Sequence, residues 1–116
     1  MCELHRIGIV HCDLAARNVL LDSSFQGKIG DLGSAMEGGT IEVDDKNRKE
    51  IEIPWRWVAP EVAPFMKFNH ASDVWAFGIT LWEIFTFGET PYTSSKKINI
   101  DNLACHHRLL SIKLLN

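Results

Sequence analysis

Apolar positions fall in short runs early in the chain and in one long run past its middle. Residues 2–7 mix apolar and charged side chains and predict the end of a helix, stopped by Gly8. Ile9-Val10 then predicts a short extended piece. Val19-Leu20-Leu21 predicts a strand, residues 22–27 (DSSFQG) a turn, and Lys28-Ile29-Gly30 the return strand of a hairpin. From Ser34 to Ile53 the pattern is polar and unperiodic, which predicts a long surface loop. Pro54, Pro60 and Pro64 punctuate an irregular segment after it. Ser72 is the expected N-cap of a long helix, with Asp73 in its first turn. That helix reads DVWAFGITLWEIF and is apolar on nearly every side, so it belongs in the middle of a core. Gly88 and Pro91 end it, and the tail from residue 94 to 116 has the pattern of one more amphipathic helix.

Composition narrows the picture. At 116 residues the chain is one small domain or part of a larger one. Its hydrophobic content of 46% is that of a folded protein, not of a disordered tail. A net charge of −3 argues against a nucleic-acid-binding surface. Three cysteines without paired spacing argue against a disulfide framework and for a reducing compartment. The N-terminal stretch, broken by Glu3, His5 and Arg6, lacks the apolar core of a signal peptide. The long apolar run carries Asp73, Gly78 and Glu83 and is too short and polar to span a membrane.

The chemistry concentrates in HCDLAARN, residues 11–18. Asp13 and Asn18 lie five residues apart on a loop that precedes a strand, and Asp31 follows at the end of the return strand. Phosphoryl transfer needs such a set. A carboxylate orients and deprotonates the attacking hydroxyl, while a carboxylate and an amide hold magnesium against phosphate oxygens. A cation such as Arg17 offsets charge on the transferred group.

HCDLAARNVLL resembles the catalytic loop of protein kinases, H-R-D-L-x-x-x-N. KIGDLGSA resembles their D-F-G segment, WVAPEV their A-P-E segment, and SDVWAFGITLWEIFTFGETPY the central helix of the C-lobe and the turn after it. All four occur in the family's order and spacing, over residues 1 to about 93. Ala15-Ala16-Arg17 and IPWRWVAPE have the tyrosine-kinase form. The resemblance implies an α+β fold: a partial kinase C-lobe, mostly helical, with a small hairpin near the catalytic loop and without the N-lobe. Residues 94–116 are expected to form a divergent tail. It also implies transfer of the γ-phosphate of ATP to protein tyrosine, with ATP and Mg2+ as cofactors and a tyrosine-bearing protein as partner. Asp13 would accept the hydroxyl proton and Arg17 support the transferred phosphate. Asn18 and Asp31 would bind magnesium, and Leu20 would pack under adenine. Arg56 and Trp57 would form the substrate platform, while His11, Leu32, Glu61 and Asp73 would give structural support. The location implied is cytoplasmic, or the cytoplasmic part of a receptor, with a membrane involved only in the second case.

Several positions depart from the pattern. Cys12 replaces the arginine that pairs with a phosphorylated activation loop, and residues 31–61 contain no tyrosine. Together they predict a loop not switched by tyrosine phosphorylation. Leu32 replaces phenylalanine, and Trp55 is bulkier than the usual residue. No G-x-G-x-x-G and no V-A-I-K-like lysine occur, so the chain is expected to be a fragment, inactive alone. Glu61 is expected to be a buried carboxylate lacking its partner, and Trp75, Phe77, Trp82 and Phe85 to be exposed. The alternative function is a pseudokinase or regulatory protein-binding module. Cys105-His106-His107 is read as a helix face rather than a metal cluster, and EVDDKNRKE as a solvated loop.

Overall fold

Gly8 separates the first two elements. Helix α1 (Cys2–Arg6) ends just before it, and strand β1 (Ile9–Val10) begins just after it. Gly8 makes that reversal with φ +79°, a conformation glycine adopts without a Cβ clash. In this computed structural model the described residues are 1–42 and 53–93. The expected helix in the tail and the Cys105-His106-His107 cluster lie outside them, as does most of EVDDKNRKE.

The expected hairpin forms. β2 (Val19–Leu21) pairs antiparallel with β3 (Gly27–Ile29), with Val19 opposite Ile29 and Leu21 opposite Gly27. Its turn is closed by Asp22, whose carboxylate accepts from the Ser24 and Gln26 amides at 2.8 and 3.0 Å. Those bonds and the Lys28 ammonium at 3.1 Å hold the Asp22 carboxyl below the usual carboxylate range, the Gln26 amide contributing most.

The segment expected to be an unbroken loop is more structured. β4 (Met36–Glu37) pairs with β1, and β5 (Thr40–Glu42) pairs with β6 (Lys67–Asn69), both antiparallel. The single expected hairpin is therefore one of three two-stranded ladders among the described residues. Neither β4 nor β5 alternates apolar with polar residues over a useful length, so periodicity did not reveal them. The proline-punctuated segment also contains a short helix, α2 (Val62–Phe65).

The long helix, α3, spans His70–Phe85. Its N-cap is Asn69 rather than Ser72. Asn69 Oδ1 accepts from the Ser72 amide, and Ser72 Oγ accepts from the Asn69 amide, both at 3.0 Å. This is a capping box with serine in the place that glutamate usually takes. The helix does not lie in the middle of a core among the described residues. It buries a stripe of small and polar residues, Ser72, Asp73, Ala76 and Thr80, at helical spacing. Val74, Phe77, Leu81, Ile84 and Phe85 remain exposed, whereas Trp75 and Trp82 are half-buried.

The hydrophobic core sits at the N-terminal end of α3. Val10, Ile53, Val58, Ala59, Val62, Met66 and Phe68 form it, with Cys12, Trp55 and Trp75 packed at its edge. It therefore joins the strand entering residues 11–18 to the segment 53–69.

Candidate active site

Asp73 organises the start of the site. Its side chain is buried, and its two oxygens accept from consecutive backbone amides: Oδ2 from His11 at 2.8 Å and Oδ1 from Cys12 at 3.1 Å. Two successive N–H groups reach one carboxylate because Cys12 turns into the left-handed region, φ +65°. A non-glycine residue there costs about 1–2 kcal/mol, which the charge-assisted bonds to Asp73 offset. His5 also reaches Asp73 Oδ2, at 3.3 Å, and its ring stacks on His70 with centroids 4.2 Å apart. His5 and His70 were not singled out from the sequence.

His11 is fully buried and serves as a spacer between the two halves of the site. Its Nδ1 accepts from the Asp13 amide at 3.3 Å, which assigns the proton to Nε2, 3.0 Å from the Gly30 carbonyl. One ring thus ties the backbone before Asp13 to the backbone before Asp31.

Asp13, Arg17 and Asn18 converge. The Arg17 guanidinium forms an ion pair with Asp13 Oδ1. Asn18 Nδ2 donates to Asp13 Oδ2 at 3.1 Å and to the Asp13 carbonyl at 2.7 Å. Both carboxylate oxygens are therefore oriented, and each keeps a further lone pair for an incoming hydroxyl. A 3-10 turn at Ala16–Asn18 brings the three side chains together.

Asp31 is held beside this turn by the hairpin. The Gly30 amide donates to the Asn18 carbonyl at 2.8 Å, continuing the β2–β3 ladder by one residue, and Asp31 comes next. A Cβ at Gly30 would stand 2.9 Å from Leu20 Cδ1, so a larger residue there would push aside the exposed Leu20 side chain. Asp31 adopts φ +53°, tolerated by aspartate, and its Oδ1 accepts from the Gly33 amide at 3.3 Å. No hydrogen bond from the described residues reaches Asn18 Oδ1 or Asp31 Oδ2. One amide oxygen and one carboxylate oxygen are thus left for a hard cation, a donor set that fits Mg2+ with phosphate and water completing its shell.

Trp57 and Glu83 complete the arrangement. The Arg17 guanidinium carbon lies 4.8 Å from the centroid of the Trp57 ring, a cation–π contact. The Trp57 indole N–H donates to Glu83 Oε2 at 2.8 Å, and the Ala16 amide donates to the same oxygen at 2.9 Å. From the sequence, Glu83 counted only as a polar interruption of an apolar helix. The signal was present, because a carboxylate in such a helix needs donors.

Other expected residues lie apart from this cluster. Arg56 Nη1 donates to the Pro91 carbonyl at 2.5 Å, anchoring the segment to the turn after α3. Leu20 and Leu32 are exposed. Glu61, expected to be buried, is exposed at the start of α2; Val62 and Ala63 turn inward in its place. Its carboxylate stays hydrated, so the expected burial penalty does not arise. Cys12 packs against the core edge, and desolvation, with the Asp73 and Asp13 charges, pushes its thiol up to about 12. Among the described residues no helix is long and apolar enough to cross a membrane.

The family model for protein tyrosine and serine/threonine kinases matches residues 1–113. Tyrosine-protein kinase csk-1 of Caenorhabditis elegans is 48% identical over 92 residues, which cover 79% of this chain and 16% of that protein. Ephrin type-A receptor 8 of Homo sapiens is 44% identical over 96 residues, covering 79% of this chain and 9% of the receptor. Ephrin type-B receptor 3 of Danio rerio is 40% identical over 104 residues, covering 88% of this chain and 21% of the receptor. The chain therefore spans only a small part of the length of these relatives. A match over nearly the whole chain, joined to a carboxylate–guanidinium–amide turn beside a second aspartate, places it: the chain belongs to the protein tyrosine and serine/threonine kinase family.

Proposed function

We propose that this chain is part of the C-lobe of a protein tyrosine kinase and carries the groups that transfer the γ-phosphate of ATP to a protein tyrosine. Residues 1–93 form that part, and residues 94–116 a divergent tail. The observation that carries the reading is the convergence of Arg17 and Asn18 on the two oxygens of Asp13, with Asp31 held alongside by the β2–β3 hairpin.

In this reading the substrate hydroxyl gives its proton to Asp13 as its oxygen bonds to the γ-phosphorus. The bond from that phosphorus to the ADP oxygen breaks, and the electron pair leaves with ADP. Arg17, oriented by Trp57 and Asp13, offsets charge on the transferred oxygens. Asn18 and Asp31 hold Mg2+, which when bound neutralises the phosphates and fixes their position. Protein kinases as a family use ATP and Mg2+. Leu20, exposed on β2, offers an apolar face to the adenine ring. Trp57 and Arg56 present the substrate segment, and His11, Leu32, Glu61 and Asp73 are assigned to support. The chain acts in the cytoplasm, either in a free kinase or in the cytoplasmic part of a receptor. The 116 residues alone are inactive, because no glycine-rich loop or lysine for the phosphates occurs in them.

A pseudokinase reading draws on Cys12 and Leu32, but such modules usually lose the base or the metal aspartate, and both are kept here. The test is phosphoamino-acid analysis of a random-copolymer substrate after incubation with the complete gene product, ATP and Mg2+. Phosphotyrosine is expected. Phosphoserine alone, or no product from a folded protein that binds ATP, contradicts the proposal.

A further inference from the structure

Glu83 lies on α3, where the neighbouring positions Leu81, Trp82, Ile84 and Phe85 are apolar. One of its oxygens, Oε2, accepts two hydrogen bonds from segments distant in sequence: the Ala16 amide at 2.9 Å and the Trp57 indole N–H at 2.8 Å. A carboxylate oxygen has the lone pairs to take both donors.

The two donors bracket Arg17. Ala16 opens the 3-10 turn that carries Arg17 and Asn18, so its amide fixes the backbone from which the Arg17 side chain departs. Trp57 supplies the ring under the guanidinium, 4.8 Å from its centroid, and the same guanidinium pairs with Asp13. Without Glu83 the turn loses one anchor, and the indole loses the bond that fixes its orientation. The ring can then swing from under Arg17.

We infer that Glu83 is a positioning residue for phosphoryl transfer, holding Arg17 against Asp13 through the Ala16 amide and the Trp57 ring; this rests on the tyrosine-kinase reading above. Packing alone does not explain a carboxylate at this place. An apolar side chain would suit the helix equally and would leave two donors without an acceptor. The bonds also join three separate segments: the candidate catalytic turn, the C-terminal part of residues 31–61 that carries Trp57, and the central helix.

The variants Glu83→Ala, Glu83→Gln and Trp57→Phe in the complete gene product test this. The carboxamide oxygen of Gln can accept from both donors, so Glu83→Gln separates the bonds from the charge. Glu83→Ala is expected to lower kcat for a tyrosine peptide by about 10–100-fold, the scale of a misplaced catalytic group, with KM for ATP within about twofold. A loss of folded protein would also lower apparent kcat at unchanged KM, so kcat is taken per ATP-binding site, counted by titration with a tight ATP-competitive ligand. Glu83→Gln is expected to recover most of the lost kcat, and Trp57→Phe to fall between the two. The inference is overturned if Glu83→Ala keeps full kcat per folded molecule, or if Gln is as impaired as Ala. If the wild-type protein transfers no phosphate to tyrosine, the functional reading fails by itself, and hydrogen exchange then decides the role of Glu83. Faster exchange of the Ala16 amide and Trp57 indole in Glu83→Ala, by about tenfold or more, with restoration in Glu83→Gln, supports the structural link. Unchanged exchange overturns it.

Discussion

Replacing Asp73 should loosen the site from below, and the size of the effect follows from the bonds it makes. Asp73 accepts from the His11 and Cys12 amides at 2.8 and 3.1 Å while itself buried. Hydrogen bonds to a charged partner contribute about 1.5–3 kcal/mol each. Asp73→Ala leaves both amides without an acceptor, a local loss of about 3–6 kcal/mol. Against a total stability of about 5–15 kcal/mol for a typical domain, this is a large fraction. Asp73→Asn keeps one carbonyl oxygen but turns an NH2 toward the second amide, so it should lose about 2–3 kcal/mol. The readout is amide hydrogen exchange at His11 and Cys12 in the complete gene product. The alanine variant should accelerate exchange at both amides by about 10²–10⁴-fold. The asparagine variant should spare one amide more than the other. Acceleration below about threefold at both in Asp73→Ala would refute the reasoning, since buried amides that need this carboxylate cannot stay protected without it.

Three further outcomes are expected. Burial pushes the Cys12 thiol from an ordinary value near 9 up to about 12, so the folded protein holds that proton more tightly than the unfolded chain. Stability from this group is complete below pH 9 and declines as the pH climbs toward 12; at pH 8, iodoacetamide should label exposed Cys2 well before Cys12, and equal rates would contradict this. Met66→Ala should lower stability by about 2–5 kcal/mol in urea unfolding, because Met66 is buried in the core cluster. Treatment of the active gene product with a tyrosine phosphatase should leave kcat within about twofold, since residues 31–61 contain no tyrosine and the proposed reading puts Cys12 where kinases carry a phosphate-binding arginine; a tenfold fall would contradict that account.

Much of the site was legible because its residues lie close together in sequence. Asp13, Arg17 and Asn18 sit within one octet, and the strand–turn–strand pattern of residues 19–30 sets Asp31 beside them. The partner of Asp13 was thus readable from spacing, whereas the partner of Trp57 was not. Glu83 is 67 residues from Ala16 and 26 from Trp57, and only tertiary folding brings them to one oxygen. The same reason hid the β1–β4 and β5–β6 ladders, in which two- and three-residue strands carry no period of their own. Ser72 is a good cap by residue type, but Asn69 comes first and recruits Ser72 into its own box. The apolar sequence of α3 suggested burial all round. What the helix buries among the described residues is its small, polar stripe: Asp73 takes the His11 and Cys12 amides, and the helix packs against the turn at residues 16–18.

The central claim is that Asp13 sits at the centre of phosphoryl transfer, held by Arg17 and Asn18. The most direct test is the single-turnover rate of γ-phosphate transfer from ATP to a tyrosine peptide, for the complete gene product and its Asp13→Asn variant, with ATP affinity measured in parallel. The account predicts a rate lower by about 10²–10⁴-fold with ATP affinity retained. An unchanged rate in Asp13→Asn would contradict it.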